Sequence, residues 1–375
     1  EIAQCLVGSE MCIRDSIIGY KPSVKGHPIQ IKRALELIAE SKRPVICSGG
    51  GVLSSGSKPI FAEFADKTGI PVVSTMMGIG VMPSDNKQYL GMLGSFGTVR
   101  ANRALLETDL LILCGARVGD RAVAAPHQVA ERAKVIHIDI DPAEIGKNIQ
   151  TTVPIVGDMK NVITVMRDKI NYHISNEWKN EFMSWQEPEI KPIEGFVEPR
   201  TFISRLSEML RHKAILVADV GQNQIWCANN FKISDGRFLT TGGMGTMGYS
   251  LPAALGAKLA RPERDVFVVC GDGSFQMSMS ELAVAVQSNI NVKIIIMQNG
   301  RLGMVREIQD KLYGSRYAAT ILNDSPDFAK LAEAYGIKAY VATTNKEAEN
   351  AVAEMLESDK PNVLICQVSP ETPSR

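Results

Sequence analysis

Short apolar runs alternate with amphipathic segments along most of the chain. The segment PIQIKRALELIAES, which begins at Pro28, repeats its apolar residues at roughly helical spacing. The runs between such segments are rich in Val and Ile, which is typical of strands buried on both faces of a parallel sheet. These runs are RPVICSGGG, IPVVST, DLLILCGAR and KVIHIDIDP in the first half, and AILVAD, DVFVVC, VKIIIMQN and NVLICQV in the second.

One aperiodic stretch separates the two series. Residues 186–199, QEPEIKPIEGFVEP, are rich in Pro and Glu, so they predict an interdomain linker. We therefore expect an α/β protein of two doubly wound parallel-sheet domains, over residues 17–185 and 200–375. Residues 1–16 fit neither of the two alternating patterns and lack the features of a signal peptide. We interpret them as a non-native segment.

Composition excludes several classes of function. Lys and Arg together number 41, as do Asp and Glu, so no basic face is indicated and nucleic-acid binding is disfavoured. No apolar run reaches the length that a membrane helix needs. The seven cysteines form no CxxC pair, and four of them lie in apolar runs. We expect buried thiols in a reducing, cytoplasmic compartment rather than disulfides or a zinc site.

Polar residues follow two of the predicted strands in the second half. The run DVFVVC leads directly into Gly271–Ser274, and 25 residues separate Gly273 from Asn299 at the end of VKIIIMQN. One helix and one strand fit this spacing, which brings both strand ends to the same edge of a parallel sheet. The Asp272 carboxylate, the Asn299 amide oxygen and the Arg301 carbonyl are suitable ligands for Mg²⁺ bound to a diphosphate. A tight strand-to-helix turn capped by Asp272 is the alternative.

A second glycine pattern lies between these strands. The segment TTGGMGTMGYSLPAALGA contains Gly243, Gly245 and Gly248 at the spacing of a dinucleotide fingerprint. That fingerprint requires an acidic residue at the end of the next strand, and the next strand ends in the Gly-Asp-Gly motif already described. We therefore disfavour nicotinamide binding.

Taken together, the motifs resemble a known family. GDGSFQMSMSEL, QNGRLGMV and GGMGTMGYSLPAALGA are similar to the thiamine diphosphate-binding domain of acetohydroxyacid synthase (acetolactate synthase), and VADVGQNQIW to its diphosphate loop. YKPSVKGHPIQIKRAL, GMLGSFGTVRAN, GARVGDR and HIDIDPAEIGKN resemble its central, Rossmann-like domain. The resemblance extends from residue 19 to about residue 368.

The resemblance implies roles in the second domain. Asp272, Asn299 and the Arg301 carbonyl would hold Mg²⁺. Gly245 would accept a hydrogen bond from the cofactor's amino group, and Met247 would support the cofactor in a bent conformation. The remaining residues expected to contact thiamine diphosphate are Val220, Gly221, Gln222, Asn223, Gly273, Ser274, Gly303 and Met304.

The first domain resembles the family's FAD-binding domain. The resemblance implies that Asp139, at a strand end, takes the ribose hydroxyls, and that Arg121 binds the carboxylate of the second oxoacid. Phe96 stands where the family usually has His. The other residues expected to contact FAD are Gly97, Gly115, Arg117, Gly157 and Asp158.

The implied reaction condenses two 2-oxoacids with loss of CO₂. Two pyruvates would give 2-acetolactate, and pyruvate with 2-oxobutyrate would give 2-aceto-2-hydroxybutyrate, in branched-chain amino acid biosynthesis. Ile308 stands where many family members have Trp, so the sequence leaves the choice of acceptor open. The family also suggests a homodimer or homotetramer, often with a small regulatory subunit.

The family's catalytic glutamate belongs to an N-terminal pyrimidine-binding domain, ahead of the segment that residue 19 begins. We therefore expect the chain alone to be a fragment that binds the cofactor weakly and does not turn over pyruvate. Another thiamine-dependent 2-oxoacid decarboxylase or carboligase, a non-catalytic cofactor-binding module, and one subunit of a split enzyme are the alternatives.

Overall fold

The computed structural model describes residues 22–322 and 324–375. The interpretation of residues 1–16 as a non-native segment lies outside these residues. Within them, two parallel six-stranded sheets follow one another along the chain, which confirms the predicted α/β fold class.

The first sheet has the strand order β3-β2-β1-β4-β5-β6, and all of its strand pairs are parallel. The order reverses between β1 and β4, which is the position where doubly wound sheets bind ligands at their carboxyl edge. Its strands are β1 Pro44–Ser48, β2 Val72–Ser74, β3 Tyr89–Met92, β4 Leu110–Cys114, β5 Lys134–Asp139 and β6 Val153–Val156. The helices around it are α1 Pro28–Glu40, α2 Gly50–Ser54, α3 Lys58–Thr68, α4 Val99–Glu107, α5 Pro126–Arg132, α6 Met159–Lys169 and α7 Asn176–Met183, with a 3₁₀ turn at Met76–Gly78.

The second sheet has the order β11-β12-β10-β9-β7-β8, again entirely parallel, with its reversal between β7 and β9. Its strands are β7 Ile215–Ala218, β8 Arg237–Leu239, β9 Val266–Gly271, β10 Lys293–Gln298, β11 Lys338–Ala342 and β12 Asn362–Gln367. The helices are α8 Pro199–Met209, α9 Gln222–Asn230, α10 Ser250–Ala260, α11 Asp272–Gln276, α12 Leu282–Gln287, α13 Gly303–Tyr313, α14 Phe328–Ala334 and α15 Asn345–Glu357, with a 3₁₀ turn at Met279–Glu281.

The sequence pattern predicts the central strands and misses the edges. Every residue of β1 and β4 is buried, as are the first five of β9 and β10, because helices cover both faces. The four strands that the pattern does not predict are β3, β6, β8 and β11, which are the four sheet edges. Their residues alternate or are largely exposed, so they form no continuous apolar run.

The segment between the sheets contains neither helix nor strand from residue 186 to residue 198. Helix α8 begins at Pro199, inside the predicted linker, and the buried Glu198 side chain caps it by accepting from the Thr201 N–H at 2.7 Å. The domain boundaries themselves stay predictions. In the described part of the chain, no helix is long and apolar enough to span a membrane.

Candidate functional site

The carboxyl edges of the two sheets face a common cavity of about 940 Å³. Helix and loop residues of the two halves of the chain bond across the cavity wall, including Asn229 Nδ2 to the Phe96 carbonyl at 2.8 Å and the Ser84 N–H to the Ile233 carbonyl at 2.8 Å. The predicted site residues that line the cavity are Phe96, Gly115, Arg117, Arg121, Asp139, Val220, Gly221, Gln222, Asn223, Gly245, Met247, Asp272, Gly273, Ser274, Asn299, Arg301, Gly303 and Met304.

Asp272 is the buried acid of this cavity. It is 1% exposed, and its carboxylate accepts from the Gly273 N–H at 2.8 Å and from the Gly300 N–H at 2.7 Å. Burial raises the pKa of this carboxyl group, while the backbone N–H donors act in the opposite direction. The bond to Gly300 brings the end of β10 beside the end of β9, as the spacing of the two motifs predicts.

Asn299 lies immediately before Gly300. Its Oδ1 accepts from the Arg301 N–H at 3.0 Å, and its Nδ2 donates to Gln222 Oε1 at 2.9 Å. The other two predicted ligands, Asn299 and the Arg301 carbonyl, therefore lie on one short loop beside Asp272. Among the described residues, no three His, Cys, Asp or Glu side chains cluster as a metal site.

Glycines in the cavity wall allow neighbouring residues to pack closely against the backbone. A Cβ on Gly303 would lie 1.8 Å from Gln222 Oε1, so no side chain fits between this residue and α9. Gly221, with φ of 145°, precedes the first residue of α9. Ser274 lines the cavity, and its hydroxyl accepts from the Gly271 N–H at 3.0 Å; its contact with the diphosphate stays a prediction.

A buried carboxylate that sequence reasoning missed organises the glycine-rich segment. Asp219 is fully buried at the end of β7, and it accepts from the N–H groups of Val220, Gly248 and Ser250 at 2.8 to 3.0 Å. The Ser250 hydroxyl donates to it at 2.6 Å. These bonds place Gly245 and Met247 in the cavity wall. An acid at a strand end beside the sheet reversal was the signal that could have found it.

The first domain contributes the other wall. Phe96, Arg117, Arg121 and Asp139 reach the cavity, and both arginines are exposed. At the sheet reversal the backbones nearly touch, because a Cβ on Gly49 would lie 2.1 Å from the Gly115 carbonyl oxygen.

Three residues predicted to contact FAD are not among those lining the cavity: Gly97, Gly157 and Asp158. Gly97 closes a turn by donating to the Gly94 carbonyl at 2.8 Å. The Gly157 N–H donates to the Asp139 carbonyl at 2.9 Å, and Asp158 caps α6 by accepting from the Asn161 N–H at 3.2 Å. The structure gives all three a local role, and contact with FAD stays a prediction.

The four cysteines of the apolar runs are buried free thiols, as the sequence predicts, at positions 47, 114, 270 and 366; Cys227 is a further buried free thiol. Burial raises the pKa of each thiol. They are therefore protonated and unreactive at neutral pH.

Comparison with known proteins identifies the two domains. Residues 219–366 match the C-terminal TPP binding domain of thiamine pyrophosphate enzymes, and residues 31–166 match the central domain of the same enzymes. The chain belongs to the thiamine pyrophosphate enzyme family. The matched C-terminal domain begins at Asp219 and contains the predicted metal and diphosphate residues of this chain.

Individual relatives carry a more specific name. A probable acetolactate synthase large subunit of Methanocaldococcus jannaschii is 44% identical over 94% of this chain and 62% of its own length. The acetolactate synthase large subunits of Haemophilus influenzae and Lactococcus lactis are 39% and 38% identical, over 89% and 93% of this chain and 60% and 62% of their own lengths. The resemblance noted from the motifs is confirmed. The chain spans about three fifths of the length of these curated relatives.

Proposed function

We propose that this chain binds thiamine diphosphate through Mg²⁺ and takes part in the condensation of two 2-oxoacids with loss of CO₂. The substrates would be two pyruvates, or pyruvate and 2-oxobutyrate, and the products would serve branched-chain amino acid biosynthesis in the cytoplasm. The observation that carries the proposal is the meeting of Asp272, Asn299 and the glycine-rich segment in one cavity with Arg121.

The residues present fit a magnesium diphosphate. Asp272 and Asn299 offer hard oxygen ligands, and the Arg301 carbonyl lies on the same loop. The first residues of α9 and α11 add backbone N–H groups and the positive end of each helix dipole.

Bound thiamine diphosphate would supply the electron sink for decarboxylation and carbon–carbon bond formation. The chain's own residues would bind the cofactor and hold it in the required orientation. The Gly245 carbonyl would hold the cofactor's amino group, and the half-buried Met247 would support its ring from the cavity wall. Asp219 keeps both residues in place through its bonds to Gly248 and Ser250.

Arg121 would bind the carboxylate of the second oxoacid. Its side chain is exposed to the cavity, and its carbonyl accepts from the Ser95 N–H at 2.9 Å, which fixes the backbone of this loop. A planar guanidinium pairs with a carboxylate through two parallel hydrogen bonds, so it can orient the acceptor as well as attract it.

The first domain would bind FAD. Phe96, Arg117 and Asp139 line the cavity at the carboxyl edge of this sheet, beside the reversal where Gly49 and Gly115 pack together. Titration with FAD, followed by flavin fluorescence, should show saturable binding that Asp139→Ala weakens. An affinity unchanged by this substitution would contradict the assignment of Asp139 to the ribose.

The proposed partners are a second copy of the chain and a small regulatory subunit. Large apolar side chains near the cavity support an assembly, because Met244 is 83% exposed and Leu312 is 74% exposed. Light scattering of the purified chain should give the mass of a dimer or tetramer. A monomer across the whole concentration range would contradict self-association.

Activity is best tested in a chimera, because the relatives are longer than this chain. Residues 22–375 would replace the matched region of the Haemophilus influenzae acetolactate synthase large subunit. The chimera should convert pyruvate to 2-acetolactate, and Arg121→Ala should raise KM for the acceptor more than it lowers the rate of CO₂ release. Acetaldehyde as the main product would favour the alternative of a 2-oxoacid decarboxylase.

A further inference from the structure

Three polar side chains form a series that leads away from the proposed metal site. Asn299 Nδ2 donates to Gln222 Oε1 at 2.9 Å, and Gln222 Nε2 donates to Glu307 Oε1 at 2.7 Å. Gln222 is 6% exposed, so water does not replace either bond freely. The series joins the loop after β10 to α9 and α13, which are separate parts of the cavity wall.

The direction of this series is set by its far end. A side-chain amide has a donor end and an acceptor end of nearly the same shape, whereas a carboxylate can only accept. Glu307 therefore requires the Nε2 end of Gln222, which leaves Oε1 facing Asn299. Asn299 must in turn present Nδ2 to Gln222. Its Oδ1 then accepts from the Arg301 N–H at 3.0 Å and has its second lone pair available to a cation.

Two further contacts reinforce the same direction. Gln222 Nε2 also donates to the Thr372 carbonyl at 3.0 Å. Glu307 Oε1 is held by the Ser374 N–H at 2.6 Å and the Ser374 hydroxyl at 2.9 Å. Glu307 and the Thr372 carbonyl thus both accept from Gln222 Nε2, and Ser374 holds the Glu307 carboxylate in place.

We propose that Glu307 is a positioning residue that fixes the amide of Asn299, through Gln222, with its oxygen toward the magnesium ion. A reversed Asn299 amide would present N–H donors to the cation, which repels them. The inference rests on the magnesium site proposed above. Partners outside the ligand set that orient a ligand commonly change metal affinity by about 10- to 100-fold.

The test separates hydrogen-bond direction from charge. Glu307→Gln removes the charge but can keep an oxygen toward Gln222, so we expect an affinity within about threefold of the unchanged chain. Glu307→Lys offers only donors, which favours a reversed Gln222, so we expect metal affinity to fall by about 10- to 100-fold. Asp310→Lys is the matched control, because it changes charge equally on the same helix at an exposed residue that bonds Tyr317.

The readout is binding of Mn²⁺ in the presence of thiamine diphosphate, followed by electron paramagnetic resonance of the free ion. In an Asn299→Asp background the series has a carboxylate at both ends, so Glu307→Lys should then strengthen binding instead of weakening it. This reversal of sign keeps the test decisive if Glu307→Lys alone folds poorly, because the double variant relieves the conflict.

An equal loss in Asp310→Lys, or weakening by Glu307→Lys in both backgrounds, would overturn the inference in favour of simple charge repulsion. Failure of the unchanged chain to bind Mn²⁺ with thiamine diphosphate would instead overturn the proposed function.

Discussion

At the scale of single residues, Asp219 joins the parts of the site that lie far apart in sequence. It holds the end of β7 to the glycine-rich segment through three hydrogen bonds, from the Gly248 and Ser250 N–H groups and the Ser250 hydroxyl, and it also accepts from the adjacent Val220 N–H. Buried donors left without an acceptor are costly, so this carboxylate stabilises the segment in addition to shaping the cavity.

Replacing Asp219 with Asn tests this role. The amide has one acceptor end, so at least one N–H of Gly248 or Ser250 would face another donor. We expect the free energy of unfolding to fall by about 1–3 kcal/mol, measured by urea denaturation. Asp235→Asn, at an exposed carboxylate paired with Arg264, is the control and should change stability far less. An equal effect of the two substitutions would contradict the role of Asp219.

Residue types alone revealed Asp272, Asn299 and the glycines, because their spacing marks two strand ends. Asp219 and Glu307 were not found in this way. Asp219 does follow a predicted strand, but the partners of a positioning carboxylate become visible only when the strands and helices are in place. The Ser274 hydroxyl accepts a hydrogen bond within its own turn, and its contact with the diphosphate stays a prediction.

At the scale of elements, α13 is unusual in the second domain. None of its residues is buried, although it carries Glu307 and borders the cavity. Polar contacts attach this helix to the domain, such as the hydrogen bond from Arg306 Nη1 to the Pro370 carbonyl at 2.8 Å. A helix with so little buried surface unfolds locally more readily than one that packs into the core.

Hydrogen exchange should reveal this weak attachment. We expect amides of α13 to exchange faster than those of α15, which buries Ala348, Ala351, Val352 and Met355. Magnesium and thiamine diphosphate together should slow exchange in α13 and leave α15 unchanged. Exchange in α13 that is already as slow as in α15 would be the contrary result.

The elements also show where prediction from sequence stops. Central strands are predictable because two layers of helices bury both of their faces, which requires a continuous apolar run. Edge strands such as β8 and β11 have one partner and exposed residues, so their composition resembles that of loops. The strand order, and therefore the meeting of the two sheet reversals, follows from no local pattern.

At the scale of the whole molecule, five buried thiols lie in or beside the two sheets. Burial raises the pKa of Cys47 from its ordinary value of 9.0 to about 12, and it raises those of the other four as well. In the unfolded chain these thiols ionise near their ordinary pKa, whereas in the folded chain they retain their protons. The folded state therefore loses stability as pH rises above about 9.

Urea unfolding at pH 8, 9 and 10 should show this loss. Each thiol contributes at most about 1.4 kcal/mol per pH unit above its unfolded pKa. Lys293 and Lys58 act in the opposite direction, because burial lowers the pKa of both, that of Lys293 to about 8, but they are two groups against five. Cys366→Ala should reduce the dependence of the free energy of unfolding on pH by the contribution of one thiol. Stability that stays constant from pH 8 to 10 would contradict the prediction.

The cavity itself belongs to the whole molecule, since both sheets supply its walls. The central claim is that Asp272 and Asn299 bind Mg²⁺ together with thiamine diphosphate in this cavity. Calorimetric titration of the chain with thiamine diphosphate, with and without Mg²⁺, tests it most directly. We predict binding that requires Mg²⁺ and is lost in Asp272→Asn, whereas Asp327→Asn, at an exposed carboxylate that caps α14, retains it. Binding that is indifferent to both Mg²⁺ and Asp272 would contradict the account.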